Sequence, residues 1–204
     1  MKKALIFMVL VLALILTMGL VFGCGPDAVD DAPDEEPDAD IYDFPENNEV
    51  SAKVLAIVIE LADRLNEADG YYGDLHDIVV ANGNRQGPEH LELWEILYDM
   101  RVETGATYVY SFIEGDGEAL IIVDGLEPED MDPYGYAYPM EPQMEEAFAG
   151  TPAVAPHTWM DDYGYGVQKS AFAPVYNSDG EVAFILGVDY PAPELEPFPE
   201  ILDE

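Results

Sequence analysis

SAFAPVYNSDGEVAFILGVDY, residues 170–190, reads as two strands around a tight turn. Phe172, Val175 and Tyr176 precede Asn177-Ser178-Asp179-Gly180, four residues that favour turn geometry. An apolar run from Val182 to Val188 follows, and Asp189 interrupts it. This pattern predicts an antiparallel hairpin of residues 166–176 and 181–190. Upstream, TYVYSFI (107–113) alternates, with Tyr108, Tyr110 and Phe112 on one face and Thr107, Val109, Ser111 and Ile113 on the other. EGDG turns the chain, and EALIIVDG (118–125) returns as a fourth strand. The strands are apolar on both faces, so both sides of their sheet need cover.

Helices supply one side. Asn48 or Ser51 suits the N-cap of a helix running through AKVLAIVIELADRLNEADG. Its Val50, Val54, Ile57, Val58, Leu61 and Leu65 form one wide apolar stripe, and Gly70 suits its stop. A shorter helix is expected in DLHDIVVANG. A third starts at Pro88, a good first-turn residue, and carries Leu91, Trp94, Leu97, Tyr98 and Arg101 to Gly105.

The other side falls to residues 125–165, where one short helix is expected, around Pro142–Phe148. A connection of about forty residues with so little regular structure is commonly a lid or a binding loop. Its Tyr134, Tyr136, Tyr138, Met140, Trp159, Tyr163 and Tyr165 form a wall that suits a pocket cover. Plain core covering is an equally good account of any single one of them.

The chain ends differ in kind. MKKALIFMVLVLALILTMGLVFGCG has two lysines, a long apolar run and then Gly23-Cys24, the layout of a secretory signal. The run is also about long enough to span a bilayer. Val21-Phe22-Gly23-Cys24 resembles a bacterial lipobox, which implies cleavage after residue 23 and a lipid on Cys24. Cys24 is the single cysteine, so no intramolecular disulfide is expected. Residues 24–49 are rich in Asp, Glu and Pro and read as an acidic, flexible tether; DDAPDEEPDAD lacks the fixed ligand spacing of a calcium loop. Residues 191–204 read as another acidic, Pro-rich tail, leaving 50–190 as one ordinary domain.

The protein carries 43 acidic residues against 7 lysines and arginines, and Lys2 and Lys3 lie in the leader. A nucleic-acid partner is excluded, because phosphate binding needs clustered basic residues. Such a surface self-repels in dilute salt and suits a salty habitat. Catalytic signatures are missing too: there is no GxSxG, HExxH, P-loop or dinucleotide fingerprint. His76, His90 and His157 are scattered, and Asp161-Asp162 are neighbours that point apart on an extended segment. No enzyme activity, cofactor or metal site is expected.

TGATYVYSFIEGDGEALIIVDGLEPEDMDP, MEEAFAG and YGYGVQKSAFAPVYNSDGEVAFILGVDY, in that order, resemble the extracytoplasmic sensor domains called Cache, or PAS-like, domains. The resemblance spans about residues 104–190 and rests on order and spacing rather than on one motif. It implies an α+β fold: a PAS-like antiparallel sheet of about five strands, a long N-terminal helix and a loop-rich lid, with a small-molecule pocket between sheet and lid. Four strands follow from the pattern alone, and Ala153–Val154 is the candidate fifth. Family members usually sit between two membrane helices and pass a signal inward, whereas only a short tail follows Tyr190 here. A binding lipoprotein is therefore expected, one that holds a polar metabolite such as an amino acid or a carboxylate and serves a membrane receptor or transporter.

In strand 182–190, Ala183, Ile185, Gly187 and Asp189 share a face of mostly small residues, which leaves room beside the carboxylate. In amino-acid-binding family members an acid near the end of this strand can hold the ligand amine, a role the resemblance carries to Asp189. The other pocket candidates are Tyr110, Asp124, Trp159, Tyr165, Lys169 and Ser170, with Lys169 as a partner for a ligand carboxylate. The rival is a structural or protein-interaction lipoprotein with a filled core. A third option is cation binding at the acidic loops.

Overall fold

The computed structural model describes residues 39–203. The expected signal, Cys24 and most of the acidic tether lie outside the described residues. A short 3-10 turn, Ala39–Tyr42, leads into α1 (Pro45–Asn66), then α2 (Tyr71–Asn82) and α3 (Pro88–Thr104). Helix α1 starts earlier than its capping residues suggest, because Pro45 takes the first helical position after an extended Phe44. Asn47 and Asn48 are thus inside the helix, and the end of the expected tether is folded. Gly70 does not terminate α1. With φ 84° it turns the chain into α2, while α1 closes on Glu67.

The sheet holds β1 (Tyr108–Glu114), β2 (Glu118–Asp124), β3 (Ala137–Pro139), β4 (Ala153–Val154), β5 (Thr158–Asp161), β6 (Gly166–Tyr176), β7 (Val182–Pro191) and β8 (Leu202–Asp203). Its order is β3-β2-β1-β7-β6-β5-β8, and β4 pairs with β6 beside β5. All neighbours are antiparallel except β5 and β8. Strands β2, β1, β7 and β6 with the β4/β5 edge are the five-stranded antiparallel sheet that the Cache resemblance implies. Strands β3 and β8 are short additions at the two edges.

Two cores follow from the two faces. On one, Val54, Val58, Leu61 and Leu65 of α1 meet Val79, Leu93, Leu97 and Met100 of α2 and α3 over Val109, Ala171, Val175, Phe184, Leu186 and Val188. The buried line of α3 is His90, Leu93, Leu97 and Met100, whereas Leu91 is exposed. The Trp94 side of α3 instead holds the loop after β2: Trp94 Nε1 donates to the Leu126 carbonyl at 2.8 Å and Arg101 Nε to the Gly125 carbonyl at 2.8 Å. His76 is fully buried here, stacked on Phe184 at 4.3 Å and hydrogen-bonded through Nε2 to Ser111 Oγ at 2.9 Å.

On the second face, α4 (Pro142–Phe148) and the loops around it lie over the sheet. Met144 and Ala147 pack on Tyr110, Phe112, Ile121, Phe172 and Ile185, with Tyr138, Met140 and Phe148 at the margin. This is the expected loop-rich cover. The acidic C-terminal segment is part of the fold as well. Ala192, Leu195 and Ile201 are buried, and Phe198 lies on Phe44 with ring centroids 4.5 Å apart.

Candidate ligand-binding site

Strand β7 is central, and residues opposite one another in its ladders share a face. Asp189 lies opposite Tyr108 of β1 and Ser170 of β6, and Gly187 opposite Tyr110 and Phe172. The face under the cover is therefore Tyr108, Tyr110 and Phe112, then Ile185, Gly187 and Asp189, then Ser170 and Phe172. Gly187 lets the Tyr110 ring lie flat across β7: a Cβ at this position would sit 2.2 Å from Tyr110 Cε2. The ring fills the room that the small residues leave. Its hydroxyl donates to Asp189 Oδ1 at 3.1 Å.

Asp189 is buried at 6% exposure. Burial pushes its carboxyl up to about 7; hydrogen bonds with Ser170 and Tyr110 work against the rise, and Glu141 and Asp124 add to it. Burial also raises the Tyr110 hydroxyl well above its ordinary value, with the Asp189 charge adding to the shift. Trp159 Nε1 donates to Ser170 Oγ at 3.0 Å, so the β5 edge is tied to the same centre. Tyr108 stacks beside Trp159 at 6.2 Å and donates to Asp161 Oδ2 at 2.6 Å.

Of the seven residues expected at the pocket, Tyr110, Trp159, Ser170 and Asp189 come together. Tyr165 is 64% exposed and meets the edge of Tyr108 at 6.3 Å, on the rim. Asp124 is buried at the end of β2, where its two carboxyl oxygens accept the N–H groups of Leu126 (3.2 Å) and Asp132 (3.0 Å). It fastens the loop after β2. Burial holds its carboxyl at about 6.

Lys169 is on the opposite face. It precedes Ser170 on β6, so its side chain points toward α1, where Nζ donates to Asn47 Oδ1 at 2.8 Å and the Pro156 carbonyl at 2.7 Å. It cannot meet a ligand carboxylate beside Asp189. Its own role is a clamp between β6, the start of α1 and the loop before β5, and burial lowers its ammonium to about 8.

Glu141, whose charge helps raise Asp189, is a residue that the sequence pattern does not single out. It precedes α4 in the cover, accepts from Gln143 Nε2, and lies 3.5 Å from His157 Nε2, which faces Asp203 at 3.7 Å on its other side. Burial raises its carboxyl, and His157 opposes the rise. Tyr138 of the cover donates to Asp132 Oδ2. Among the described residues, no group of three or more His, Cys, Asp or Glu could hold a metal ion, and no helix is long and apolar enough to cross a membrane.

No protein-family model matches the chain, and no characterised protein sequence does. Solved structures resemble it in outline. They include the ligand-binding domain of the Campylobacter jejuni chemoreceptor Tlp3 in complex with L-valine, at 16% identity and a TM-score of 0.38, covering 73% of this chain and 61% of that one. The same domain in complex with 4-methylisoleucine is 17% identical with a TM-score of 0.37, over 77% and 62% of the two chains. The periplasmic sensory domain of the C. jejuni chemoreceptor Tlp1 is 8% identical with a TM-score of 0.33, over 76% and 65%. The chain thus spans less than two thirds of the length of each.

Proposed function

We propose that the protein is a membrane-tethered, extracytoplasmic domain that binds a small polar metabolite between its sheet and its loop cover. The observation that carries this reading is Asp189: a carboxylate under the cover, 6% exposed, hydrogen-bonded to the neutral hydroxyls of Tyr110 and Ser170. An unpaired buried charge is costly to a fold, and a ligand with a complementary charge removes that cost on binding. Tyr110, Ser170, Trp159 and Tyr108 surround the carboxylate with hydrogen-bonding groups and ring faces, the mixture that small-molecule sites use. The tether is the lipid on Cys24, and a membrane receptor or transporter is the expected recipient of the bound metabolite.

The test is a thermal-shift screen of the purified protein against amino acids, short carboxylates, amines and calcium, in low and high salt. A ligand at a hundredfold its dissociation constant stabilises the folded state by about 2.7 kcal/mol, a shift of several degrees for a domain this size. Mass spectrometry of the membrane-bound protein tests the tether, with a diacylated Cys24 as the expected N-terminus.

One observation favours a second reading. The Tyr110 ring already occupies the space over Gly187, as it would in a structural or protein-interaction lipoprotein with a filled core. A cooperative melt that no compound shifts is the result expected on that reading.

A further inference from the structure

Three buried nitrogens around the start of α3 have no hydrogen-bond partner among the described residues. They are Nε and Nη2 of Arg85, in the turn between α2 and α3, and Nε2 of His90, in the first turn of α3. Arg85 as a whole is half-buried, and His90 is 8% exposed. Buried donors are almost always paired, because an unpaired one gives up its hydrogen bond to water for nothing. Two unpaired N–H groups on a charged guanidinium are the costlier case.

The neighbouring acids are occupied with other donors. The loop after β2 lies along α2 and α3, held by Trp94 on the Leu126 carbonyl, Arg101 on the Gly125 carbonyl and the Tyr134 hydroxyl on the Val79 carbonyl at 3.5 Å. Asp124 begins this loop, and its two oxygens accept the N–H groups of Leu126 and Asp132. Asp132 Oδ2 accepts the Tyr138 hydroxyl. Burial lowers the Arg85 guanidinium, and Asp124, Asp132 and Tyr134 oppose the fall. These groups offset its charge without bonding its two free N–H groups. Burial pushes His90 down to about 4, with the Arg85 charge adding to the shift, so its ring is neutral. The N-cap of α3 is Gly87, which has no side chain to satisfy the first N–H groups of the helix, and Glu89 is the acid of that turn.

Nε and Nη2 carry the two parallel donors on one edge of the guanidinium, the edge that takes two oxygens of a single carboxylate or inorganic oxyanion. We propose that Arg85 and His90 form a second binding site, for a small oxyanion, on the helical side of the fold and separate from Asp189. Arg85 Nε and Nη2 donate to two oxygens of the anion. His90, in the tautomer protonated at Nε2, donates to it as well. The residues flanking Arg85, 82–84 and 86–88, are exposed. Their turn is tied by Asn84 Nδ2 to the Asn82 carbonyl at 2.8 Å and by Gln86 N–H to Asn84 Oδ1 at 2.7 Å. A displacement of this short turn admits the anion. With 43 acidic residues on the chain, an anion is held only where such built donors outweigh the field of the whole protein.

The probes are sodium acetate, sulfate and phosphate, each titrated into the purified protein against sodium chloride at matched ionic strength. Two signals are followed, the melting temperature and the nitrogen–proton resonance of Arg85 Nε, which needs no variant beyond the one that assigns it. The expected result is a saturable rise in melting temperature beyond that in chloride for at least one oxyanion, with the Arg85 Nε resonance moving at the same midpoint. Preference for acetate marks a carboxylate compound as the natural ligand, and preference for sulfate or phosphate an inorganic anion. Arg85→Lys keeps the charge and loses the two-pronged edge, so the dissociation constant should rise by about tenfold or more; Arg85→Gln should abolish the response. Asp189→Asn should leave it intact, which separates this site from the one under the cover. Three results overturn the inference: no oxyanion exceeds chloride, the Arg85 Nε resonance stays still at saturation, or the response survives in a cooperatively melting Arg85→Gln. A response lost in Asp189→Asn and kept in Arg85→Gln assigns the oxyanion to the sheet–cover site, so this inference fails while the binding reading stands.

Discussion

Replacing Asp189 with Asn removes a charge that the fold has to bury without a counter-ion. The carboxyl moves from an ordinary value of 3.8 to about 7 in the folded state, a shift of about three units. At about 1.36 kcal/mol per unit, ionising Asp189 costs the folded protein about 4 kcal/mol. Because the folded state holds the proton more tightly than the unfolded chain, this cost is absent below pH 4. It grows as pH rises through the interval and is complete above about 7. Asn cannot ionise, has the same shape, and still accepts the Tyr110 hydroxyl. Urea unfolding of both proteins from pH 4.5 to 9 at fixed high ionic strength isolates the effect, since the other carboxylates titrate in both and cancel in the difference. The two stabilities should differ by only about 1 kcal/mol at pH 4.5 and separate further up to about pH 7. Above pH 7.5 they should run parallel, with Asp189→Asn ahead by about 4 kcal/mol, on the order of 10 °C in melting temperature. A variant less stable than the wild type at pH 8, or a difference that does not change with pH, refutes the reasoning: ionised Asp189 would then have a compensating partner within the fold.

Three further outcomes follow from the packing. Gly187→Ala drives a methyl into the Tyr110 ring, at 2.2 Å from Cε2, and should cost about 1–3 kcal/mol; in a cycle with Tyr110→Ala the two losses should be less than additive by over about 1 kcal/mol. Truncation after Pro191 removes the buried Leu195 and Ile201, at about 1.5–3 kcal/mol each, so the urea midpoint should fall by the equivalent of about 3–6 kcal/mol. The Lys169 ammonium titrates at about 8 when folded against 10.5 in its ordinary state, so the unfolded chain binds more protons between those values and wild-type stability should rise with pH there. Lys169→Met should lack that rise, and unfolding from pH 7.5 to 10 compares the two; parallel curves count against a buried, charged Lys169.

Much of this architecture was legible because its signals are local. Alternation in TYVYSFI and the apolar runs flanking NSDG carry period two over long enough stretches to fix four strands and the faces of their residues. Helix α3 announces itself through Pro88 and Gly105. The start of α1 was displaced because Pro45 competes with Asn48 and Ser51 as a boundary signal, and the Phe44 contact that anchors it comes from Phe198, far along the chain. The C-terminal segment reads as a tail by composition, yet Leu195, Phe198 and Ile201 recur at three-residue spacing among its acids, and that spacing was the available clue. Lys169 and Ser170 were both placed at the pocket although adjacent residues of one strand cannot face one site. Which of them does so depends on the register of β6 on β7, which shifts between Val175 and Tyr176. Glu141 could not be found from pattern, since its place in the cover, between Gln143 and His157, depends on the path of an irregular loop.

The Tyr110–Gly187–Asp189 arrangement bears on how the two readings should be weighed. A filled site does not exclude a ligand, but a site closed by its own side chain lowers apparent affinity by the fraction of molecules in which it is open. The closing group is a neutral phenol on a carboxylate, and a hydroxyl offsets less of a buried negative charge than an ammonium does. The closed arrangement is therefore complementary in shape and incomplete in charge. A lipoprotein acting only through its acidic surface would have no use for a carboxylate beneath the cover, where about 4 kcal/mol of stability is lost to it at neutral pH. A cation that takes the place of the Tyr110 hydroxyl recovers part of that loss as binding free energy.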